Sequence, residues 1–240
     1  MDGVEIKVSN YVVAFIDILG SSEAIMHDAD ASLKAVHQAY QESLEGFGKI
    51  FDGSYLQPSV RIFSDNILVA VPYAEERFKR SAFLAVAMMS AVIQVAFLKR
   101  GWLTRGGISS GSFFADSVMV WGTALVKAYE FENTVAVYPR IVVDPALIDE
   151  LQIAVKIDMK IIAWLRQDKD GMFYIDYINR YLNQEVLFAV WLTKVVEQNV
   201  AKYHEKTRIC QKWLWLSSYL NERLLELECL GKGNGMTNDS

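Results

Sequence analysis

The chain has 240 residues and a formal charge of −5, enough length for one large domain or a domain with an appendage. With 52% hydrophobic and 22% charged residues it reads as globular, and only Gly231 to Ser240 looks disordered. No run of Lys and Arg is long enough to neutralise a row of phosphates, which excludes a protein that coats nucleic acid and leaves room for a small anion held by metal ions.

Met1 to Asn10 carries Asp2, Glu5 and Lys7 and has no basic start followed by an apolar core, so secretion is not expected. Cys210 and Cys229 form neither a CxxC nor a disulfide frame, and the expected location is a reducing cytoplasm. Tyr11 to Ile18 is an apolar run interrupted by Asp17 and closed by Gly20, the pattern of a central strand ending in a tight turn. A carboxylate in that setting is an anomaly. From Ser22 to about Lys49, Ile25, Leu33, Val36, Tyr40, Leu44 and Phe47 recur at helical spacing, and Asp28 and Asp30 break the run into two helices. Val60 to Phe63 and Ile67 to Val71 read as strands joined by Ser64-Asp65-Asn66, a hairpin with an acidic tip.

A helix over Glu75 to Arg100 follows. Its stretch Ser81 to Leu98 carries no charge and is long enough to be weighed as a membrane span, but its Ala, Ser and Met content, Gln94, and the flanking Arg80 and Lys99 favour a buried core helix. No membrane partner is expected. Leu103 to Ser109 is a strand containing Gly106-Gly107, and Trp121 to Glu132 is a helix leading through Pro139 into a strand over Arg140 to Asp144. The order βαββαβαβ predicts an α+β fold of ferredoxin-like or palm type, a mostly antiparallel sheet with helices on one face. Beyond Pro145 come a short helix, a hairpin over Ile161 to Tyr177 turning at Asp168-Lys169-Asp170-Gly171, and a helical tract from Gln184 to Leu230 rich in Trp and Tyr. The expected division is a core over 1–150 and an extension over 151–240 that packs on the core or on a dimer interface.

Asp17 closes the first strand and Asp65 tips a hairpin that the palm topology sets beside it, so the two carboxylates should converge. Such a pair repels itself unless protonated or neutralised, and hard divalent cations with oxygen ligands meet that need. On spacing alone, a capping role for Asp17 and an ordinary turn role for Asp65 stay equally open. His27, His37 and His204 lack ligand spacing. No GxGxxG after a strand, Walker A loop or nucleophile elbow supports a Rossmann, kinase-like or hydrolase reading.

Phe15-Ile16-Asp17-Ile18-Leu19-Gly20 resembles the first-strand motif of class III nucleotide cyclases, and Phe63-Ser64-Asp65-Asn66 is similar to their metal-binding hairpin. Arg105-Gly106-Gly107-Ile108-Ser109-Ser110-Gly111 is similar to the next strand of that family, and Trp121-Gly122 to the turn before its catalytic helix. The resemblance runs in order from about Tyr11 to Asp144. It implies that Asp17, the backbone carbonyl of Ile18, and Asp65 hold two divalent ions, Mn²⁺ or Mg²⁺. It also implies that the turn Leu19, Gly20, Ser21 and Ser22 offers N–H groups to the phosphates of a nucleoside triphosphate, as a helix N-terminus does. The active unit it implies is a homodimer with sites at the interface, the Gly122 to Glu132 helix and Arg140 facing the partner's site.

The departures are as informative. Where the family reads a purine with Lys or Glu this chain has Arg61, and where many members have Asp before the Trp-Gly turn it has Met119. The Asn and Arg of the catalytic helix are replaced by Val126 and Glu130, so their charge stabilisation must come from elsewhere or the protein is inactive. Gly122, Ala128-Tyr129-Glu130, Glu132 and Tyr138-Pro139-Arg140-Ile141 resemble the pyrimidine cyclases of bacterial Pycsar anti-phage systems. That resemblance implies cyclic UMP, or next cyclic CMP, made as a messenger for a separate effector protein. Tyr55, Arg61 and Met119 would then meet the base, Arg105 the phosphates, and Arg140 would replace the missing catalytic Arg, unless either Arg pairs with Glu130 or Glu132. The alternatives are a catalytically degenerate cyclase-like module that binds nucleotide or dimerises, and another palm enzyme, which the single acid of Ser64-Asp65-Asn66 disfavours.

Overall fold

The computed structural model describes residues 7–51, 58–151, 163–184 and 186–233. Tyr55, the expected hairpin's start at Ile161 and the last residues of the expected disordered tail lie outside them. The elements in chain order are β1 (Ser9–Leu19), α1 (Ser21–His27), α2 (Ala29–Phe51), β2 (Ser59–Phe63), β3 (Asn66–Pro72), α3 (Glu76–Lys99), β4 (Leu103–Ala115), β5 (Val120–Trp121), α4 (Thr123–Thr134), β6 (Ile141–Val143), α5 (Pro145–Glu150), β7 (Leu165–Gln167) and β8 (Phe173–Ile175). After them come α6 (Asn179–Gln184), α7 (Val186–Lys202) and α8 (Thr207–Gly233). The chain forms two compact units, Met1–Asp176 and Tyr177–Ser240.

The first unit is α+β, built on an eight-stranded sheet in the order β2-β3-β1-β4-β6-β8-β7, with β5 paired to β4. Its pairs are antiparallel except β4 with β6. β1 lies inside the sheet, which is why it reads as a continuous apolar run: Val12, Val13, Ala14 and Ile16 are all fully buried. Each large apolar side chain withdrawn in this way contributes about 1.5–3 kcal/mol.

Helices cover both faces, where one was expected. Val13 and Phe15 pack with Leu68, Ala70, Phe113 and the α4 residues Ala124 and Ala128. The alternate residues of β1, from Val12 to Ile18, are buried on the other face, and α3 lies against β1, β3 and β4. α3 is long and apolar enough to cross a membrane by length and composition, and 78% of its most apolar window is buried inside the protein, the packing of a core helix. The expected break between the first two helices falls at Asp28, which is extended and accepts the Ala31 N–H at 2.9 Å.

Two boundaries differ from expectation. β4 runs on past Ser109 to Ala115, because Gly111, Ser112 and Phe113 pair with Tyr11, Asn10 and Ser9 at the start of β1. The β7–β8 hairpin joins the sheet through the Val142–Tyr174 pair, which moves the unit boundary from about 150 to Asp176. In the second unit the aromatic residues of the helical tract pack on one another: the rings of Tyr177 and Trp215 each lie 5.4 Å from Tyr219, whose hydroxyl accepts the Ile178 N–H at 3.3 Å.

Candidate active site

The register of the sheet brings the acidic residues together. Asp17 is paired with Asn66 on β3 and with Arg105 on β4, and the Ile18 N–H donates to the backbone carbonyl of Asp65 at 3.0 Å. The hairpin tip is thereby fastened to the end of β1. At that tip Ser64 adopts φ 56°, and at the end of β1 Gly20 adopts φ 82°, a left-handed turn that costs glycine little and delivers the chain into α1. Ser21, the first residue of α1, donates its hydroxyl to Asp65 Oδ2 at 2.6 Å, while Asn66 Nδ2 donates to Oδ1 at 3.1 Å. The Ser21 bond holds the Asp65 carboxyl below the usual carboxylate range despite partial burial.

Arg105 ties Asp17 to α4. Its Nε donates to Asp17 Oδ2 at 3.1 Å, its Nη1 donates to the Ala136 carbonyl at 3.3 Å, and its Nη2 stands 2.6 Å from Glu132 Oε1. The last is an ionic contact without hydrogen-bond alignment, and Glu132 Oε1 has no aligned donor. Burial pushes the Glu132 carboxyl up; Arg105 opposes that shift, and the charges of Asp17 and Asp65 add to it. Glu132 reaches this position because α4 lies directly on Gly107: a Cβ there would stand 2.2 Å from the Ala128 carbonyl and 3.0 Å from the Glu132 nitrogen. Beside the acids runs an aromatic strip in which Phe15 meets Tyr129 edge-on at 5.5 Å and Phe63 at 6.1 Å, with Phe63 and Tyr129 partly exposed.

Asp17 and Glu132 thus share one guanidinium, and the charge of Asp65 also reaches Glu132, an excess of negative charge that hard cations relieve. Among the described residues no group of three His, Cys, Asp or Glu side chains is arranged to enclose a metal. The oxygen donors of Asp17 and Asp65 suit Mg²⁺ or Mn²⁺ bound by one or two carboxylates and completed by substrate phosphates and water.

The chain is similar to several solved structures. It is similar to the adenylyl cyclase CyaB from P. aeruginosa, with 15% identity, 72% of this chain and 95% of that chain covered, and a TM-score of 0.47. It is also similar to the guanylyl cyclase domain of the RhoGC fusion protein from the aquatic fungus Blastocladiella emersonii, with 13% identity, 72% and 98% covered, and a TM-score of 0.48. No protein-family profile matches the sequence, and no curated protein matches it.

The other residues singled out in the sequence fall in three places. Leu19 ends β1, and Ser22 is exposed in the first turn of α1. Arg61 on β2 is partly buried, with its Nε lacking a hydrogen-bond partner. The Asp116 carboxylate accepts the N–H groups of Met119 and Val118 at 2.8 and 2.7 Å, which hold it below its usual range, and the charge of Arg61 adds a smaller lowering effect. Val126 and Glu130 are exposed on α4.

Arg140 departs from expectation. It is buried, and its guanidinium is taken up by Asp168 and Asp170 of the β7–β8 turn, including an Nη1–Asp170 Oδ1 bond of 3.1 Å. Two carboxylates occupy its fork within the chain, a pairing other than the one with Glu130 or Glu132 weighed from the sequence. The alternative pairing with Glu132 is realised by Arg105. Sequence reasoning missed the Ser21 hydroxyl on Asp65 and the Asp116 turn near Arg61, and it named Glu132 only as a partner for an arginine, not as a carboxylate whose charge joins those of Asp17 and Asp65. A usable signal for Glu132 was an acid on the inner face of a helix that docks on a Gly-Gly strand.

Proposed function

We propose that the chain is a metal-dependent nucleotidyl cyclase of the class III kind, converting a nucleoside triphosphate, UTP first and CTP next, into its 3′,5′-cyclic nucleotide and pyrophosphate. The observation that carries this reading is the meeting of Asp17 and Asp65 at the end of β1, with Ser21 keeping Asp65 ionised. In the reaction the ribose 3′-oxygen bonds to the α-phosphorus as its proton leaves, and the bond from that phosphorus to the bridging oxygen of pyrophosphate breaks. Two divalent ions, Mn²⁺ or Mg²⁺, would lower the pKa of the 3′-hydroxyl and neutralise charge on the α-phosphate and the leaving group. Asp17, the Ile18 carbonyl and Asp65 are the groups to hold them.

Arg105 stands beside these acids with a guanidinium suited to phosphate oxygens, and the Leu19 to Ser22 turn would take the distal phosphates. With the catalytic Arg place filled by Glu130, Arg105 is the cation of the site best placed to offset charge developing at phosphorus. Phe63 and Tyr129 offer ring faces to a base, and Arg61 with Met119 replaces the purine-reading pair. The cyclic nucleotide would act in the cytoplasm as an anti-phage messenger for a separate effector, and the active unit would be a homodimer with the nucleotide at its interface.

The test is to supply UTP, CTP, ATP and GTP separately with Mn²⁺ or Mg²⁺ and to identify the cyclic product and pyrophosphate. UTP or CTP should be turned over at least tenfold faster than the purines, since a site built to bond one base edge leaves buried polar groups unpaired with another. Asp17→Ala and Asp65→Ala should each lower turnover by more than a hundredfold, every ~1.4 kcal/mol of lost stabilisation being tenfold. Better use of ATP would make this a purine cyclase. Tight nucleotide binding without product would leave the degenerate module.

A further inference from the structure

Arg105 is shared between two seats of different character. The seat at Asp17 is a hydrogen bond of 3.1 Å between side chains that are 24% and 20% exposed. The seat at Glu132, whose side chain is 5% exposed, is a 2.6 Å ionic contact that leaves the buried Oε1 without an aligned donor. A buried acceptor left unmet carries a desolvation cost, so a rotation of the guanidinium off Asp17 would be offset by an aligned bond to Glu132. The Nη1 contact to the Ala136 carbonyl tethers the group near both seats.

A divalent ion arriving at Asp17 meets this cation on the same carboxylate. We infer that Arg105 is a resident counter-ion of Asp17 that a metal ion must displace, and that Glu132 is the positioning residue that receives it, so that this pair sets how tightly the site takes metal. The inference rests on the reading of Asp17 as a metal ligand and deepens it. Without Arg105 the metal has no rival on Asp17. Without the Glu132 charge, Arg105 is left wholly to Asp17 and is harder to displace.

The two side chains therefore have opposite expected effects. Mn²⁺ binding, read by electron paramagnetic resonance of the free ion and by calorimetry without nucleotide, should tighten at least about three-fold in Arg105→Met and weaken at least about three-fold in Glu132→Gln. A purely structural role predicts that both changes disorder the site and weaken binding. If Arg105→Met does not fold, as read by its thermal melt, the double variant Arg105→Met/Glu132→Gln removes the buried pair together and should bind Mn²⁺ more tightly than the native chain. Asp17→Asn separates the two levels of the reading. Unchanged Mn²⁺ binding in that variant overturns the metal assignment and this inference with it, whereas binding that falls in Asp17→Asn and fails to tighten in the Arg105 variants overturns the inference alone.

Discussion

Arg140 has a side chain only 2% exposed, and burial by itself would weaken its charge; the bonds and charges of Asp168 and Asp170 more than offset that and raise its pKa. In return the Arg140 bond holds the Asp170 carboxyl below its usual range. Truncating one member of a buried pair leaves the other uncompensated, but Asp170 is 48% exposed, so Arg140→Met should cost about 1–3 kcal/mol, less than a fully buried pair. The sign with pH follows from the depressed Asp170 pKa: its contribution is present above the unfolded value of about 4 and is lost as pH falls through the lower folded value. The stability gap between the native chain and Arg140→Met, measured by denaturant unfolding, should be full at pH 7 and shrink at pH 3 and below. A gap that persists unchanged in acid would place the effect in lost packing. Both partners were visible in the sequence, Arg140 as an arginine without a place and Asp168-Lys169-Asp170-Gly171 as a turn. The separation of 28 positions between Arg140 and Asp168 hid their pairing, which the insertion of β8 beside β6 creates.

At the scale of elements, α4 matters most for the site, and its seat is set by one glycine. A Cβ on Gly107 would stand 2.2 Å from the Ala128 carbonyl and 2.7 Å from Phe131 Cβ, and the first of these is backbone that cannot rotate away. Gly107→Ala should push α4 off β4, lower stability by about 1–3 kcal/mol and carry Glu132 away from Arg105. In a unit of this size that is a fall in Tm of several degrees, read by calorimetry. Gly48→Ala is the contrast: it lies in α2 with nothing within 4 Å of the added carbon, and it should be neutral or stabilising by up to about 1 kcal/mol through helix propensity alone. Equal melting of the two variants would show that α4 has room to yield. The same contact explains what the sequence could carry. Apolar periodicity marked α4 and β4 as helix and strand, and the order of elements implied the antiparallel sheet. Periodicity does not say which face a helix takes, so α4 was expected beside the other helices. Ser110-Gly111-Ser112 looks like the end of a strand until β1 is there to pair with it.

At the scale of the whole molecule, the question is what covers the outer side of this region. Val118 is 88% exposed and Trp121 67%, and Val126 and Tyr129 are also exposed one turn apart on α4, so apolar side chains follow one another from the β4–β5 connection onto the helix. Exposed apolar side chains of this size, gathered in one stretch of chain, are what an interaction site offers. A second copy of the chain is the occupant that the proposed cyclase requires, because two identical patches related by a two-fold axis would bury one another and close two equivalent sites. Arg140 is committed to its turn, so the interchain test belongs on this patch. Trp121→Asp should convert a sedimenting dimer into a monomer, with its melting temperature measured at matched low concentration little changed, and should reduce cyclic nucleotide formation by at least tenfold, recovering in part at high protein concentration as weakened dimers reform. The pairing of concentration-dependent activity with a concentration-dependent sedimentation profile distinguishes lost association from a damaged site. A native chain that sediments as a monomer and is active, or a Trp121→Asp chain that remains a fully active dimer, would move the interface elsewhere or place the whole site within one chain.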